Sequence, residues 1–266
     1  MALVSRMRFS FGQNWLSYSR AALDEEKVAE ARAAFRALTD GIELNGKRFL
    51  DIGFGQGLAL FLAGEAGAQT FGLDLDPLCA KALDTTARFF PAVARPQIAI
   101  GSILDEATVR RLQEIGPFDV VHSWGVLHHT GAMTIAFQNA AALVRSGGWL
   151  ILAIYNKHWT SPGWRILKRV YNALPAWLQK AMVLLAYPLF YLRARALAGA
   201  GQTVTTRGMN VAHDLRDWLG GYPYEYASPA EIGRELAGLG FTLVRCQPTR
   251  GFTGCNEFVL KKGKAG

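Results

Sequence analysis

Phe49-Leu50-Asp51-Ile52-Gly53-Phe54-Gly55-Gln56-Gly57 decides the reading of this chain. A short apolar run, 47–52 (KRFLDI), carries an acid at its penultimate position and leads into glycines at three alternate positions. Such a run suits a buried strand, and 58–66 continues as a helix. Glycines between a strand and a helix let the backbone turn sharply and let a ligand approach with no Cβ in the way. The spacing is GxGxG followed by Leu58, which departs from the dinucleotide fingerprint GxGxxG. No GxxxxGK[ST] occurs, which excludes a phosphate-cradling P-loop. Asp51, before the first glycine, would attract an ammonium group and repel a pyrophosphate. The loop therefore suits a ligand with a cationic amino-acid group.

A second acid, Asp74, ends a second strand (69–75) about twenty residues beyond the loop, where a carboxylate can take two ribose hydroxyls. Asp76 fits better as the cap of a helix over 77–90, with Pro77 in its first turn. Strands follow at 97–100, 118–123 (FDVVHS) and 149–155, alternating with helices at 105–115 and 132–144. This alternation argues for βαβ units and a parallel sheet. The rhythm breaks over 157–225 and returns with a helix from Ser228-Pro229 to Leu239. Two strands, 241–247 and 256–261, are joined by a short turn and should pair antiparallel. At the start, 9–19 (FSFGQNWLSYS) reads as a loop and 25–38 as a helix capped by Asp24. One domain, 1–266, is expected, with 157–225 as a helical, basic and apolar insertion.

Composition narrows the classes. Half of the 266 residues are hydrophobic and 19% are charged, which excludes a disordered chain. Cys79, Cys246 and Cys255 stand far apart with no CxxC pair, so neither a metal knuckle nor a disulfide framework is expected. The first residues lack the apolar run of a signal peptide, and a cytoplasmic location is the expectation. The net charge is +8, and its position matters more than its size. No Asp or Glu occurs from Val120 to His213, while 157–213 holds Lys157, Arg165, Lys168, Arg169, Lys180, Arg193, Arg195 and Arg207. The remaining 21 basic residues balance the 21 acidic ones, so the whole excess lies in this segment. It points to an anionic partner: a membrane surface, nucleic acid or an acidic substrate.

Taken together, the glycine loop, Asp74, Gly101-Ser102 after strand three and the run 118–129 (FDVVHSWGVLHH) resemble the class I methyltransferases that use S-adenosylmethionine. The final pair of strands matches as well. The resemblance implies a Rossmann-like doubly wound sheet of seven strands, mostly parallel with an antiparallel last strand, plus a helical insertion after strand five. It implies S-adenosylmethionine as cofactor, held by Asp51, Gly53, Gly55, Gly57, Asp74, Leu75, Ser102, Ile103, Ser123 and Trp124. Many relatives carry an acid just after strand three to hold the adenine amino group; this chain has Ser102 there, with Asp105 three residues on. A narrower resemblance, carried by 11–15 (FGQNW), 207–209 with 221–223, and 254–258, is to a bacterial subgroup labelled by similarity to quinone-biosynthesis methyltransferases. Through it Trp15, Arg207 and Tyr222 become candidate substrate residues.

Methyl transfer from a sulfonium needs alignment above all, and a base only where the acceptor carries a proton. Open α/β sheets bind ligands at the carboxyl ends of their strands. His128 and His129 follow strand four and His158 follows strand five, with His213 in the insertion. His128, His129 and His213 are the candidate bases, because an imidazole titrates near neutrality. Tyr155, Asn156 and His158 join the candidate substrate residues. Cys255 reads as an ordinary small packed residue.

Within the insertion, 164–195 reads WRILKRVYNALPAWLQKAMVLLAYPLFYLRAR. Its longest charge-free run, 181–192, is too short to span a bilayer, and Pro175 and Pro188 would break or kink a long helix. Two or three short helices are expected, acting either as a lid over a lipophilic pocket or as a peripheral membrane contact through 164–198. Nucleic acid is disfavoured, since Leu and Trp dominate over spaced basic and small polar residues. The expected activity is methyl transfer to a small or lipophilic acceptor at oxygen. The alternatives are S-, N- or C-methylation of a small molecule, methylation of a sugar in a surface glycoconjugate, and, from another class, a non-catalytic cofactor-binding partner subunit. The sequence sets no oligomeric state.

Overall fold

A computed structural model describes residues 11–198, 211–249 and 254–264. The order of elements is α1 (Phe11–Ala21), α2 (Glu25–Leu38), β1 (Arg48–Ile52), α3 (Leu58–Glu65), β2 (Gln69–Asp74), α4 (Leu78–Thr86), β3 (Gln97–Ile100), α5 (Glu106–Ile115), β4 (Phe118–Trp124), α6 (Met133–Leu143), β5 (Val144–Tyr155), α7 (Ser161–Ala173), α8 (Ala176–Ala198), α9 (Val211–Gly220), α10 (Pro229–Gly238), β6 (Phe241–Gln247) and β7 (Cys255–Lys262). The seven strands form one sheet in the order β3-β2-β1-β4-β5-β7-β6. Strands β1 to β5 pair parallel, and β7 runs antiparallel to both β5 and β6. This is the Rossmann-like arrangement expected from the sequence.

Alternate residues of the central strands feed two cores. Leu50, Ile52 and Val121 point to one face, where α5, α6 and α10 cover them; Phe49 and Val120 point to the other, beneath α2, α3 and α4. Burial on both faces explains why these strands read as continuous apolar runs. Each fully buried side chain of this size contributes about 1.5–3 kcal/mol. The sequence order of the strands reverses between β1 and β4, and a crevice opens there at the carboxyl ends.

Three elements depart from the expectations. Residues 11–19, expected as a loop, belong to helix α1, whose Leu16, Tyr18 and Ser19 are buried. Strand β5 begins at Val144, five residues early, because Ser146-Gly147-Gly148 continues the strand through an irregular register instead of ending a turn. Helix α8 runs unbroken through Pro188. Proline deprives the carbonyl four residues back of its donor; that residue, Leu184, is exposed, where water can replace the lost bond. Among the described residues no helix is long and apolar enough to cross a membrane.

Candidate active site

The crevice holds a cavity of about 750 Å³. One wall is the glycine loop. Its backbone is left-handed at Gly53 (φ 77°), Gly55 (φ 56°) and Gly57 (φ 78°), a region other residues avoid. Gly53 donates to the Leu73 carbonyl at 2.6 Å, which binds the loop to the end of β2. A Cβ on Gly55 would stand 3.0 Å from the indole of Trp15, so the glycine makes room for a neighbouring ring as well as for a ligand. Gly57 packs against Leu83 and does not face the cavity.

Two carboxylates end the adjacent strands β1 and β2, and both line the cavity. Asp51 is buried, and its Oδ1 lies 2.7 Å from His122 Nδ1. His122 is its register neighbour on β4 and stands between the rings of Phe49 and Trp124. Asp74 accepts from the amides of Gly55 (2.9 Å) and Asp76 (3.0 Å). Burial pushes its carboxyl above the usual carboxylate range, against the pull of those two donors. Asp76 accepts from Leu78 N (2.9 Å) at the start of α4 and from Gly12 N (3.1 Å) at the start of α1. Gln56 also lines the cavity; its Oε1 is buried with no hydrogen-bond partner among the described residues.

Helix α1 roofs the cavity, and the run 11–15 does the fastening. Gly12 is a glycine of necessity, since a Cβ there would collide with the Asp76 carboxylate. Asn14 donates to Asp217 of α9 at 2.7 Å, and the Phe11 ring lies 5.1 Å from that of His129. The opposite wall is aromatic. His128 is fully buried, 4.4 Å from the His129 ring and 4.1 Å from that of Tyr155. Burial, and then the charges of His129 and Lys168, hold His128 well below the usual imidazole range. Its Nδ1 accepts from the Tyr155 amide at 3.4 Å. His129 Nδ1 lies 2.6 Å from the Pro223 carbonyl, which only accepts, so Nδ1 carries the proton.

Of the residues expected in the site, Trp15, Asp51, Gly53, Gly55, Asp74, Leu75, Ser102, Ile103, Trp124, His128, His129 and Tyr155 line this one cavity. Ser123 stands behind the wall, its hydroxyl donating to the Ile52 carbonyl at 2.9 Å. Asn156 accepts from Asn256 at 3.0 Å, and His158 pairs with Thr160 at 2.9 Å; neither lines the cavity, nor does Tyr222. Asp105 is occupied as the cap of α5, accepting from Thr108 N at 2.9 Å. Arg207 and the side chain of His213 lie outside the described residues. The sequence missed His122, Phe190, Asp217 and Trp218, all of which line the cavity.

Lys168 corrects the reading of the basic segment. It is 1% exposed, not solvated. Its ammonium donates to the Trp218 carbonyl and sits 4.9 Å from the Tyr224 ring and 5.3 Å from the Tyr155 ring. Burial brings its pKa down to about 7. A lysine beside Arg169 and three residues from Arg165 looks external in sequence; the packing of α7 against α9 encloses it.

A loop of left-handed glycines, carboxylates closing two adjacent strands and a cavity at the point where strand order reverses define a nucleoside-binding α/β enzyme. Residues 23–245 match the family model described as "Methyltransferase domain", and the chain belongs to that family, the class I S-adenosylmethionine-dependent methyltransferases. Among curated proteins it is 30% identical over 111 residues to a tRNA U34 carboxymethyltransferase of Idiomarina loihiensis, covering 41% of this chain and 33% of that one. It is 30% identical over 112 residues to a ubiquinone biosynthesis O-methyltransferase of Albidiferax ferrireducens, covering 42% of each. The chain thus spans less than half the length of these relatives. Among solved structures it is similar to magnesium protoporphyrin IX methyltransferase of Synechocystis PCC 6803 with bound S-adenosylmethionine. The TM-score is 0.57 at 13% identity, covering 98% of this chain and 96% of that one.

Proposed function

We propose that the chain transfers a methyl group from S-adenosylmethionine to an oxygen of a small, lipophilic acceptor. One observation carries the reading: a single cavity has paired carboxylates on one wall and a histidine pair among aromatic rings on the other. The residues fit the cofactor. Asp51 would hold an ammonium group, Asp74 a pair of ribose hydroxyls, and the unpartnered Gln56 Oε1 supplies an acceptor that awaits a donor. Gly53 and Gly55 would admit the ligand's backbone-facing side, with Leu75, Ser102, Ile103 and Trp124 around it. Gly57 and Ser123 would act from behind by fixing the loop. When bound, the cofactor supplies an activated methyl group on sulfur.

The chain's own work is to align the acceptor and to take its proton. Trp15, Tyr155, Phe190 and Trp218 would clasp an apolar acceptor and exclude water. His129 is the better base. With Nδ1–H committed to Pro223, Nε2 would be its proton-accepting nitrogen. In His128 it is the Nδ1 lone pair that already meets an amide. The curated relatives named for O-methylation support oxygen as the acceptor atom. The insertion, 164–198, would stand at the acceptor's entrance, as a lid or against a membrane. The test is incubation with metabolite extract and S-adenosylmethionine. A lipophilic alcohol, phenol or acid that gains about 14 mass units, one methyl for one proton, is the expected product. Gain on a thiol, amine or carbon, or on a polar sugar, would replace this reading. Binding of the cofactor without turnover on any compound would favour a non-catalytic subunit.

A further inference from the structure

We infer that the outer faces of α7 and α8 dock the protein on an anionic lipid bilayer. Helix α8 is apolar on both sides. Met182, Val183, Ala186 and Phe190 pack inward against Tyr171, Leu215, Leu219 and Trp218. On the other side Trp177, Leu184, Leu185, Leu189 and Leu192 recur at three, four and seven residues and are 62–76% exposed. Ile166 (66%) on α7 and Trp159 (84%) in the turn before it extend the same kind of surface. Elsewhere among the described residues no large apolar side chain is more than 56% exposed. Exposed apolar surface concentrated in this way marks an interaction site.

Charge selects the occupant. Lys157 is paired with Glu231, Arg165 donates to the Tyr224 carbonyl and Lys168 is enclosed, so none of the three is available to a partner. Arg169, Lys180 and Arg195 are exposed, with no carboxylate partner among the described residues. The sequence has no acid from Val120 to His213. A second copy would bring the same cations against them and nothing negative to meet them. An anionic bilayer offers both halves at once, phosphate for the cations and acyl chains for the leucines. No described helix can cross a membrane, so α8 would lie in the interface. The face is also joined to the cavity: exposed Leu189 is followed by Phe190, which lines the pocket. On the proposed methyl transfer, an acceptor dissolved in lipid would enter beside this helix; the docking itself does not depend on that reading.

The test is cosedimentation of the full chain with vesicles of phosphatidylcholine, alone or with phosphatidylglycerol, at low and high salt, without cofactor. Binding to the anionic vesicles, weaker on the neutral ones and reduced by salt, is expected. The pair Arg169→Glu with Lys180→Glu, and separately Leu184→Ser with Leu185→Ser, should each lower partitioning by about tenfold or more. Affinity for S-adenosylmethionine should stay unchanged, which shows that the variants fold. No binding to anionic vesicles at low salt overturns the inference. So does binding that neither pair of substitutions reduces. A dimer by light scattering that Leu184→Ser with Leu185→Ser dissolves would assign the face to a second copy instead. Vesicle binding together with failure to find a methylated product would leave the docking and remove the proposed reaction.

Discussion

His122 and Asp51, neighbours across the β1–β4 pairing, meet through a 2.7 Å contact between Nδ1 and Oδ1, and both side chains are buried. The pair fixes the direction of the carboxylate that ends β1. His122→Leu would leave a buried carboxylate without its partner, a loss of about 1–3 kcal/mol. A lower melting temperature and S-adenosylmethionine affinity down about tenfold are expected, read by calorimetry. Unchanged affinity with a lower melting temperature would reduce the pair to a structural role.

Asp74 has two tasks in the structure, since it also holds the glycine loop through Gly55 N. Asp74→Ala should therefore weaken the cofactor and lower the melting temperature together. Each charge-assisted hydrogen bond lost is worth roughly 1.5–3 kcal/mol. Because burial raises this carboxyl, cofactor affinity should fall on acidification at a higher pH than an ordinary carboxylate would dictate. A titration whose midpoint stays in the ordinary range, or is the same in Asp74→Asn, contradicts the assignment.

Gly12→Ala tests the roof. The new methyl group would strike the Asp76 carboxylate and lift α1, carrying Trp15 away from Gly55. Cofactor affinity should drop although residue 12 lies outside the glycine loop. Retained affinity would mean that α1 takes no part in holding the ligand.

Lys168 should make stability depend on pH. Its folded pKa of about 7 lies below the ordinary value of 10.5. Below pH 7 both states carry the proton and the fold bears the full cost of a buried charge. Between about 7 and 10 the unfolded chain binds more protons, so stability rises with pH. Lys168→Met should be the more stable protein at pH 6, by on the order of a few kcal/mol, with the advantage shrinking towards pH 10. Parallel stability curves for the two proteins would show that Lys168 does not titrate in this range.

His129→Ala should cut turnover on a hydroxyl acceptor by about 10²–10⁴-fold and spare cofactor affinity. His128→Ala should chiefly lower the melting temperature, because it empties a buried site packed against the Tyr155 ring. Equal and small losses of turnover would leave alignment as the whole of catalysis.

The alternation of strands and helices, the glycine loop and the two strand-end acids were legible because each is a local pattern. Helix α1 was not. Gly12, Asn14, Ser17 and Ser19 lower its intrinsic propensity, and it forms because Leu16 and Tyr18 are buried and Gly12 fits against Asp76. The Asp51–His122 pair depends on the register of strands 71 residues apart, which no single stretch encodes. Lys168 carried the charge signal of its segment while lying inside it, since charge is read by position in the chain and burial is decided by packing. Asp217 gave no local signal at all; its place in the cavity wall, bonded to Asn14, follows from the fold of the insertion.

The bond between Asn14 and Asp217 closes a loop of 203 residues. During synthesis, β1, β2 and β4 can assemble while α9 is still unmade, so the binding crevice exists before its roof can be fastened. The closure comes late and carries the entropy of a long loop. Cofactor retention would thus be a property of the finished chain: a nascent or truncated protein ending before residue 217 would have only the five parallel strands β1 to β5 and would hold the ligand more weakly.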